Sequence, residues 1–347
     1  MLVMFALFFR TGTSALSRFV SGADFHAAKN AWDVLIALGF YFKKLFLPYP
    51  LNFAVNSVHQ MYGALGVALF PALWLVFRRK RLSGMLFTSA LLFILPALLV
   101  AVNKIAWTPF AERYLYLPTA FFTLGLAGIG KSWRQEYFRT LMTFLVIVLC
   151  VSALGSYQRN LLWKDSLSFY KDAVTKSPEF GSVYYSLGGE LMKKGEISRA
   201  AEAFATADHL NKRDSMRYPI KLSIMGTMFA KSEYLEARIY FLRLFKKKQE
   251  APVDFIELLC KADSKRLETL DGEEKVLLAH DLLESLAILY QTKPDPFLLY
   301  QSGKMALAAG NSNEAADFFR RAYVAAPQDA HYKAAAKTYY LRSEAEK

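Results

Sequence analysis

The chain is poor in the residues that build disulfide frameworks and metal sites. It has two cysteines and five histidines among 347 residues. Cys150 lies in an apolar run and Cys260 in a polar half, so we expect no disulfide between them. No Cys/His spacing matches a metal motif, and we predict no metal site. A disulfide-stapled fold and metal-based chemistry are therefore disfavoured.

Acidic residues are scarce in the first part of the chain. Residues 1–157 hold 14 Lys/Arg but only four Asp/Glu, whereas residues 158–347 hold 29 Lys/Arg and 26 Asp/Glu. The net charge of +13 therefore divides into +10 and +3. The basic clusters are short and flank apolar runs, as the topogenic loops of membrane proteins do. This pattern favours a membrane protein and argues against nucleic-acid binding.

Four segments without any formal charge predict membrane-spanning helices. Each has 17 or 18 residues, which as a helix reaches roughly 26 Å of a ~30 Å hydrocarbon layer. No span contains a buried charge, so a transporter is disfavoured. The opening "MLVMFALFF" is too short to span, and we interpret it as the end of a partial first span, with a genuine short start as the alternative. The predicted spans of the membrane domain, residues 1–157, are 61–77, 85–102, 114–130 and 140–157.

Basic loops predict the orientation. Residues Arg78–Arg81 ("RRKR") and Lys131–Arg139 lie between spans and should be cytoplasmic. The stretch "ERYLYLP" and everything after Tyr157 then lie outside, in the periplasm of a bacterium or the lumen of the endoplasmic reticulum of a eukaryote. Upstream, "WDVLIALGFYFKKLFLPYP" predicts an interfacial helix on the outer surface. A fifth, cramped span is the alternative.

The polar half, residues 158–347, contains small residues at the spacing of tetratricopeptide (TPR) repeats. Counted from Gly181, and again from Pro296, small residues occupy positions 8, 20 and 27 of a 34-residue unit and Phe occupies position 24. Small residues let two antiparallel helices approach closely, and the Phe fills the groove to the next repeat. The residues in frame are Gly188, Ala200, Phe204 and Ala207, then Gly303, Ala315, Phe319 and Ala322, with Pro327 at position 32.

The frame extends to a series of units. Residues 181–214 and 296–329 match it well, 218–248 more weakly, and 163–180 form a half-repeat. Residues 250–295 have a helical pattern without the frame, and 330–345 predict a capping helix. The fold class is thus all-α: a polytopic transmembrane helix bundle followed by a TPR-type α-solenoid. We expect its groove to bind a protein or peptide.

Both halves together resemble a known family. "FAERYLYLPTAFF", followed downstream by "RN..W.DSLSFY.DAV...P" and repeats, is similar to the GT-C class membrane glycosyltransferases that carry a C-terminal TPR domain. Their animal members are the transmembrane-and-TPR-containing O-mannosyltransferases. The resemblance implies a polyprenyl-phosphate sugar donor in the membrane lipid and a protein acceptor. No other cofactor is implied.

The chain departs from this family in its membrane domain. Family members have more spans, and their catalytic acid resembles an Asp or paired acids in the first external loop. Asp24 and Asp33 are the only acids in the N-terminal external segment here, and neither has a paired-acid context. We therefore assign no catalytic residue, and we expect the chain to be the C-terminal portion of such an enzyme, with an upstream catalytic half as a partner.

"ERYLYLP" permits two interpretations. In the first, Arg113 anchors a helix end at the headgroup level, Tyr114 and Tyr116 join an aromatic belt, and Glu112 neutralises Arg113. In the second, Glu112, Arg113 and Tyr116 bind the lipid phosphate of the donor, with Glu112 holding the guanidinium in place. The alternative for the whole chain is a non-catalytic, membrane-anchored TPR scaffold for protein–protein interaction.

Overall fold

A computed structural model describes residues 27–47, 49, 52, 55, 57–103, 110–130 and 135–345. The chain divides into two compact units, Met1–Leu187 and Gly188–Lys347. The predicted all-α class is confirmed for these residues, which contain one isolated bridge, between Val55 and Phe110, and no strand. The predicted partial first span, Asp24 and the start of the 131–139 loop lie outside the described residues.

The described residues form fifteen α-helices and two short 3-10 turns, Glu112–Leu115 and Lys248–Glu250. In chain order the helices are α1 (Ala27–Phe46), α2 (Tyr62–Arg79), α3 (Arg81–Asn103), α4 (Tyr116–Gly130), α5 (Gln135–Leu162), α6 (Ser166–Lys176), α7 (Gly181–Lys193), α8 (Ile197–Leu210), α9 (Asp214–Ala230), α10 (Tyr234–Leu244), α11 (Val253–Leu267), α12 (Gly272–Thr292), α13 (Pro296–Ala308), α14 (Ser312–Ala325) and α15 (Lys333–Ala345).

In the first unit, α1 packs closely along α2. A Cβ on Gly39 would lie 1.9 Å from the carbonyl oxygen of Tyr62, and one on Gly66 would lie 2.1 Å from that of Leu35. Glycines at these points bring the two backbones together, as small residues do between membrane helices. The middle of α1, residues 36–41, is buried. Its placement in a bilayer, interfacial or spanning, stays a prediction.

Helices lie where the four spans were predicted. Among the described residues, α3 is the one that is long and apolar enough to cross a membrane, over Arg81–Leu98. Helices α2, α4 and α5 cover the other three predicted segments, and their spanning stays a prediction. Several large apolar side chains of α5 are exposed: the exposed fractions of Leu149, Leu154 and Tyr157 are each above 60%.

The first unit extends beyond the predicted boundary at residue 157. The guanidinium of Arg159, on α5, donates to Asp172 of α6 at 2.8 Å. At the end of α6 the side-chain amide of Asn52 donates to the hydroxyl of Ser177 at 3.0 Å. These bonds tie α6 to α5 and to Asn52 within the first unit, which continues to Leu187.

In the second unit, three helical hairpins share one turn geometry. The residues Gly195, Ser232 and Gly310 end α7, α9 and α13 with φ of 77°, 63° and 77°. In each turn the next residue's N–H bonds the carbonyl five residues back, at 2.9–3.0 Å, which is the Schellman arrangement. The weakly matching segment 218–248 therefore turns as its neighbours do, with a serine where they have glycine.

The small residues of the repeat frame lie where the paired helices meet. A Cβ on Gly188 would lie 2.6 Å from Phe204, and one on Gly303 would lie 2.7 Å from Phe319. The alanines of the frame are 0–1% exposed; they are Ala200, Ala207, Ala315 and Ala322. Pro327 follows the end of α14 and is exposed.

Helices α11 and α12, which lack the frame, are joined to α10 and to the turn Lys248–Glu250 by ion pairs around the buried Asp263 and the half-buried Asp281. Arg238 lies 2.5 Å from Asp263 and 2.7 Å from Asp281. Lys248 lies 2.7 Å from Asp281 and 3.1 Å from Glu284. Asp263 is completely buried, and its Oδ1 has no hydrogen-bond partner among the described residues. Burial raises the pKa of this carboxyl to about 6.

Candidate functional site

The "ERYLYLP" segment forms a 3-10 turn that leads into α4. Residue Ala111 is extended, Glu112–Leu115 make the turn, and α4 begins at Tyr116. Pro118 lies in the first helical turn, where its missing N–H costs no intrahelical bond. Leu115 is buried, whereas Arg113 and Tyr116 are exposed. The turn thus fixes the backbone on its apolar side and presents polar side chains on the other.

Glu112 pairs with Lys44 rather than with Arg113, so the predicted Glu112–Arg113 pair is wrong. The carboxylate Oε1 lies 2.5 Å from Lys44 Nζ and 3.4 Å from the backbone nitrogen of Asn52. The side chain of Lys44 is only 4% exposed. Adjacent residues in a helical turn point in different directions; Glu112 reaches Lys44 at the end of α1, whereas the guanidinium of Arg113 lies over the ring of Tyr114.

Arg113 keeps its positive charge uncompensated by a direct ion pair. Its guanidinium lies over the ring of Tyr114, 5.3 Å from the centroid. Within the described part of the chain, no carboxylate lies within 4.0 Å of it. An exposed guanidinium of this kind has its donors available for an anion.

These residues line a cavity of about 450 Å³. Its walls come from the end of α1, the loop after it, the 3-10 turn, the start of α4 and the end of α5. Three cations and one carboxylate face it, which gives the lining a formal charge of +2. Lys44, Glu112, Arg113, Tyr116, Arg159 and Trp163 are among the lining residues. The structure therefore brings together all three residues predicted for phosphate binding and adds Lys44, Arg159 and Trp163.

A second cavity, of about 230 Å³, follows along α4. Leu115 and Thr119 line the first cavity, and Phe122, Leu126 and Ile129 line the second. The remaining lining of the second cavity is apolar and comes from α1, α2 and α3. A charged cavity and an apolar one thus succeed each other along a single helix.

The motif "RN..W.DSLSFY.DAV" borders the charged cavity. Asp165 caps α6, because its carboxylate accepts from the backbone N–H of Ser168 at 3.0 Å. Trp163 packs against Phe169 with 5.3 Å between ring centroids, and Arg159 reaches Asp172. The sequence of this motif resembles the glycosyltransferase family, but it does not predict that Arg159 lines the cavity.

The described residues contain no group of three or more His, Cys, Asp and Glu arranged to hold a metal ion. Cys260 is buried in the second unit, and burial raises the pKa of its thiol to about 12. A thiol with so high a pKa stays protonated at neutral pH and is a poor nucleophile. The charged cavity, in contrast, gathers three cations and one carboxylate among the described residues.

About a third of the chain is similar in sequence to known proteins. No family model matches the chain. Protein O-mannosyl-transferase Tmtc2 of Drosophila melanogaster is 30% identical over 124 residues, 34% of this chain and 13% of the relative. Protein O-mannosyl-transferase Tmtc1 of the same organism is 29% identical over 119 residues, which are 31% of this chain and 13% of the relative. Protein O-mannosyl-transferase Tmtc3, also from Drosophila melanogaster, is 27% identical over 108 residues, which are 30% of this chain and 12% of the relative. The matched segment spans about an eighth of each relative, so about a third of this chain is similar to part of these protein O-mannosyl-transferases.

Proposed function

We propose that the chain is a membrane-anchored TPR protein that acts as part of a lipid-linked-sugar-dependent glycosyltransferase of the protein O-mannosyltransferase type. In this proposal the chain corresponds to the C-terminal portion of that enzyme. Its charged cavity binds the phosphate of a polyprenyl-phosphate sugar at the outer membrane surface. Its TPR array binds a protein or peptide acceptor. The observation that carries the proposal is the exposed Arg113 in a cavity with a charge of +2.

The charges of the cavity suit a phosphate. Glu112 neutralises the buried Lys44, so it does not compete for Arg113. A guanidinium presents two parallel N–H donors, which match two oxygens of a phosphate. Tyr116, 80% exposed at the rim, offers a hydroxyl donor beside it. Bound water leaves such a site when the anion enters, and the charge-assisted bonds replace it.

The apolar cavity suits the lipid part of the same ligand. A polyprenyl phosphate joins an anion to a long hydrocarbon chain, and the two cavities follow each other along α4 in that order. Apolar surface removed from water contributes about 25 cal/mol per Å². The exposed apolar side chains of α5 also favour a membrane setting, since an aqueous protein rarely exposes so many in succession.

The hairpins of the second unit support the TPR assignment. Three of them share the αL turn, and two share the glycine-on-phenylalanine contact at positions 8 and 24 of the frame. Repeats that bury their apolar faces only against neighbours build an extended surface for a protein or peptide. Transfer to a protein acceptor needs such a surface near the donor.

Binding of farnesyl phosphate to the purified full-length chain in phosphatidylcholine nanodiscs tests the proposal. Arg113→Gln should weaken binding about tenfold, the value of one charge-assisted contact. The matched control is Arg78→Gln, because Arg78 is also an exposed arginine over a neighbouring aromatic ring, 5.5 Å from Trp74. Arg78→Gln should bind as the wild type does. Equal binding by all three proteins would exclude Arg113 from the site.

A non-catalytic scaffold is the second candidate function. It is favoured by a cavity of about 360 Å³ in the second unit, whose floor is apolar and whose lining includes Lys261, Lys265 and Lys293. Under this alternative, proteins that co-purify with the chain from membrane extract should be lost from the Lys293→Glu variant and kept by Arg113→Gln. The opposite pattern would remove its support.

A further inference from the structure

The charged cavity contains a second arginine whose environment differs from that of Arg113. Arg159 lies near the end of α5 with 14% of its side chain exposed. Its Nη1 donates to Asp172 at 2.8 Å, and its guanidinium lies 5.8 Å from the centroid of Phe169. Arg159 is therefore held by Asp172 and Phe169, whereas Arg113, among the described residues, lies over the ring of its neighbour Tyr114.

The ion pair with Asp172 leaves Arg159 partly uncompensated. Asp172 also accepts from Lys176 at 2.9 Å. The carboxylate of Asp172 thus pairs with two cations, and Arg159, Asp172 and Lys176 together carry a formal charge of +1. The Lys44–Glu112 pair is neutral, and Arg113 adds the second positive charge. The charged side chains that line the cavity sum to +2, and adding Asp172 and Lys176, which do not line it, leaves that sum unchanged.

Helix α6 supports the cavity from two sides. On one side Asp172 fixes Arg159. On the other side Ser177, which follows the last turn of α6, accepts from Asn52, whose backbone N–H points at Glu112. Helix α6 therefore holds two lining residues, Arg159 and Asn52, in place without lining the cavity itself.

We propose that Arg159 is a second phosphate-binding guanidinium, that Asp172 is its positioning residue, and that this two-arginine site prefers a dianionic phosphomonoester to a monoanionic phosphodiester. The inference rests on the proposed function and deepens it. A polyprenyl phosphate carries one more ionisable oxygen than its sugar ester, because the sugar no longer occupies that oxygen. Two guanidiniums complement this second charge.

The preference has a pH dependence that a merely structural role of Arg159 would not produce. The second pKa of a phosphomonoester is about 6, so it carries two charges at pH 8 and about one at pH 5. A phosphodiester carries one charge at both values. The site should therefore distinguish the two ligands at pH 8 and bind them alike at pH 5.

Competition binding with the full-length chain in phosphatidylcholine nanodiscs at low salt tests the inference. The probes are farnesyl phosphate, its methyl phosphodiester and inorganic phosphate. The wild type should bind farnesyl phosphate about tenfold more tightly than the diester at pH 8. Arg159→Gln should lose this preference, Asp172→Asn should lose most of it, and Asp172→Glu should restore it. The matched control is Arg320→Gln, whose arginine forms an exposed pair with Asp317 at 2.9 Å.

The outcomes separate this inference from the proposed function. Loss of binding in Arg113→Gln with an unchanged preference in Arg159→Gln would overturn the inference and leave the proposed function standing. Unchanged binding in both variants would overturn both. Thermal unfolding of each variant shows whether a loss comes from misfolding, and Asp172→Glu provides the folded comparison. Inorganic phosphate that competes as well as farnesyl phosphate would support the anion site and assign it to free phosphate instead of a lipid.

Discussion

Gly188 and Gly189 are neighbours in one helix, and replacing each by alanine should change stability in opposite directions. Both lie in α7. Alanine is favoured over glycine in a helix interior by about 1 kcal/mol. A Cβ at Gly189 would have nothing within 4 Å, so Gly189→Ala should stabilise the protein by up to that amount. A Cβ at Gly188 would lie 2.6 Å from Cε1 of Phe204.

The magnitude for Gly188→Ala follows from how little Phe204 can move. Ordinary contact needs 3.4 Å or more, so the two helices or the ring must separate by most of an ångström. Phe204 is 3% exposed, so its ring cannot turn into solvent without losing its burial. Overpacking of this kind costs about 1–3 kcal/mol, which exceeds the gain in helix propensity. We expect Gly188→Ala to lie about 1–3 kcal/mol below Gly189→Ala in unfolding free energy.

Urea unfolding of the full-length chain in detergent, followed by circular dichroism at 222 nm, measures the difference. The double variant Gly188→Ala/Phe204→Leu should recover part of the loss, because the smaller side chain removes the ring that the new methyl group meets. Equal stabilisation by Gly188→Ala and Gly189→Ala would refute the close approach of α7 and α8, and with it the use of the repeat frame here.

Three further perturbations follow from single contacts. Ser232→Gly should raise the unfolding free energy by about 1 kcal/mol, because Ser232 has φ of 63° and glycine adopts this conformation without strain. Urea unfolding measures the effect, and a midpoint lower than that of the wild type would contradict the expected stabilisation. Glu112→Gln removes the carboxylate that lies 2.5 Å from the buried Lys44 and should cost about 3–5 kcal/mol. Glu268→Gln, in the exposed pair with Lys265, should cost less than about 1 kcal/mol, and thermal unfolding compares the two variants. Burial raises the pKa of Asp263 from 3.8 to about 6, so the folded protein binds this proton more tightly than the unfolded chain, and stability from this group rises as the pH falls from 6 to 4. The wild type should therefore gain about 2 kcal/mol relative to Asp263→Asn over that interval, and a pH-independent difference between the two proteins would contradict it.

The helices of the second unit were predictable because their contacts repeat at a fixed spacing. Gly188 and Phe204 are in frame in the sequence, and they are in contact in the structure. The turn at Ser232 was not predicted, because serine seldom adopts positive φ and its sequence gives no sign of doing so. Its hydrogen bonds became visible only with the backbone, and they match those of Gly195 and Gly310.

The network around Arg238 shows a different limit of sequence interpretation. Asp263 and Asp281 lie on α11 and α12, in a segment whose pattern predicted helices and nothing more. Charged residues in a helical pattern are usually exposed to solvent. The burial of Asp263 depends on how α10, α11 and α12 pack, and no local spacing encodes that.

The partner of Glu112 decides what the charged cavity can bind. Two cations compete for this carboxylate: Lys44, with 4% of its side chain exposed, and the exposed Arg113. An unpaired buried ammonium costs several kcal/mol, whereas an exposed guanidinium stays hydrated at little cost. Pairing the Glu112 carboxylate with Lys44, which lies 68 residues away in the sequence, therefore stabilises the fold more than pairing it with the adjacent Arg113 would. Because the pairing follows burial and not proximity along the chain, the guanidinium of Arg113 remains available to an anion.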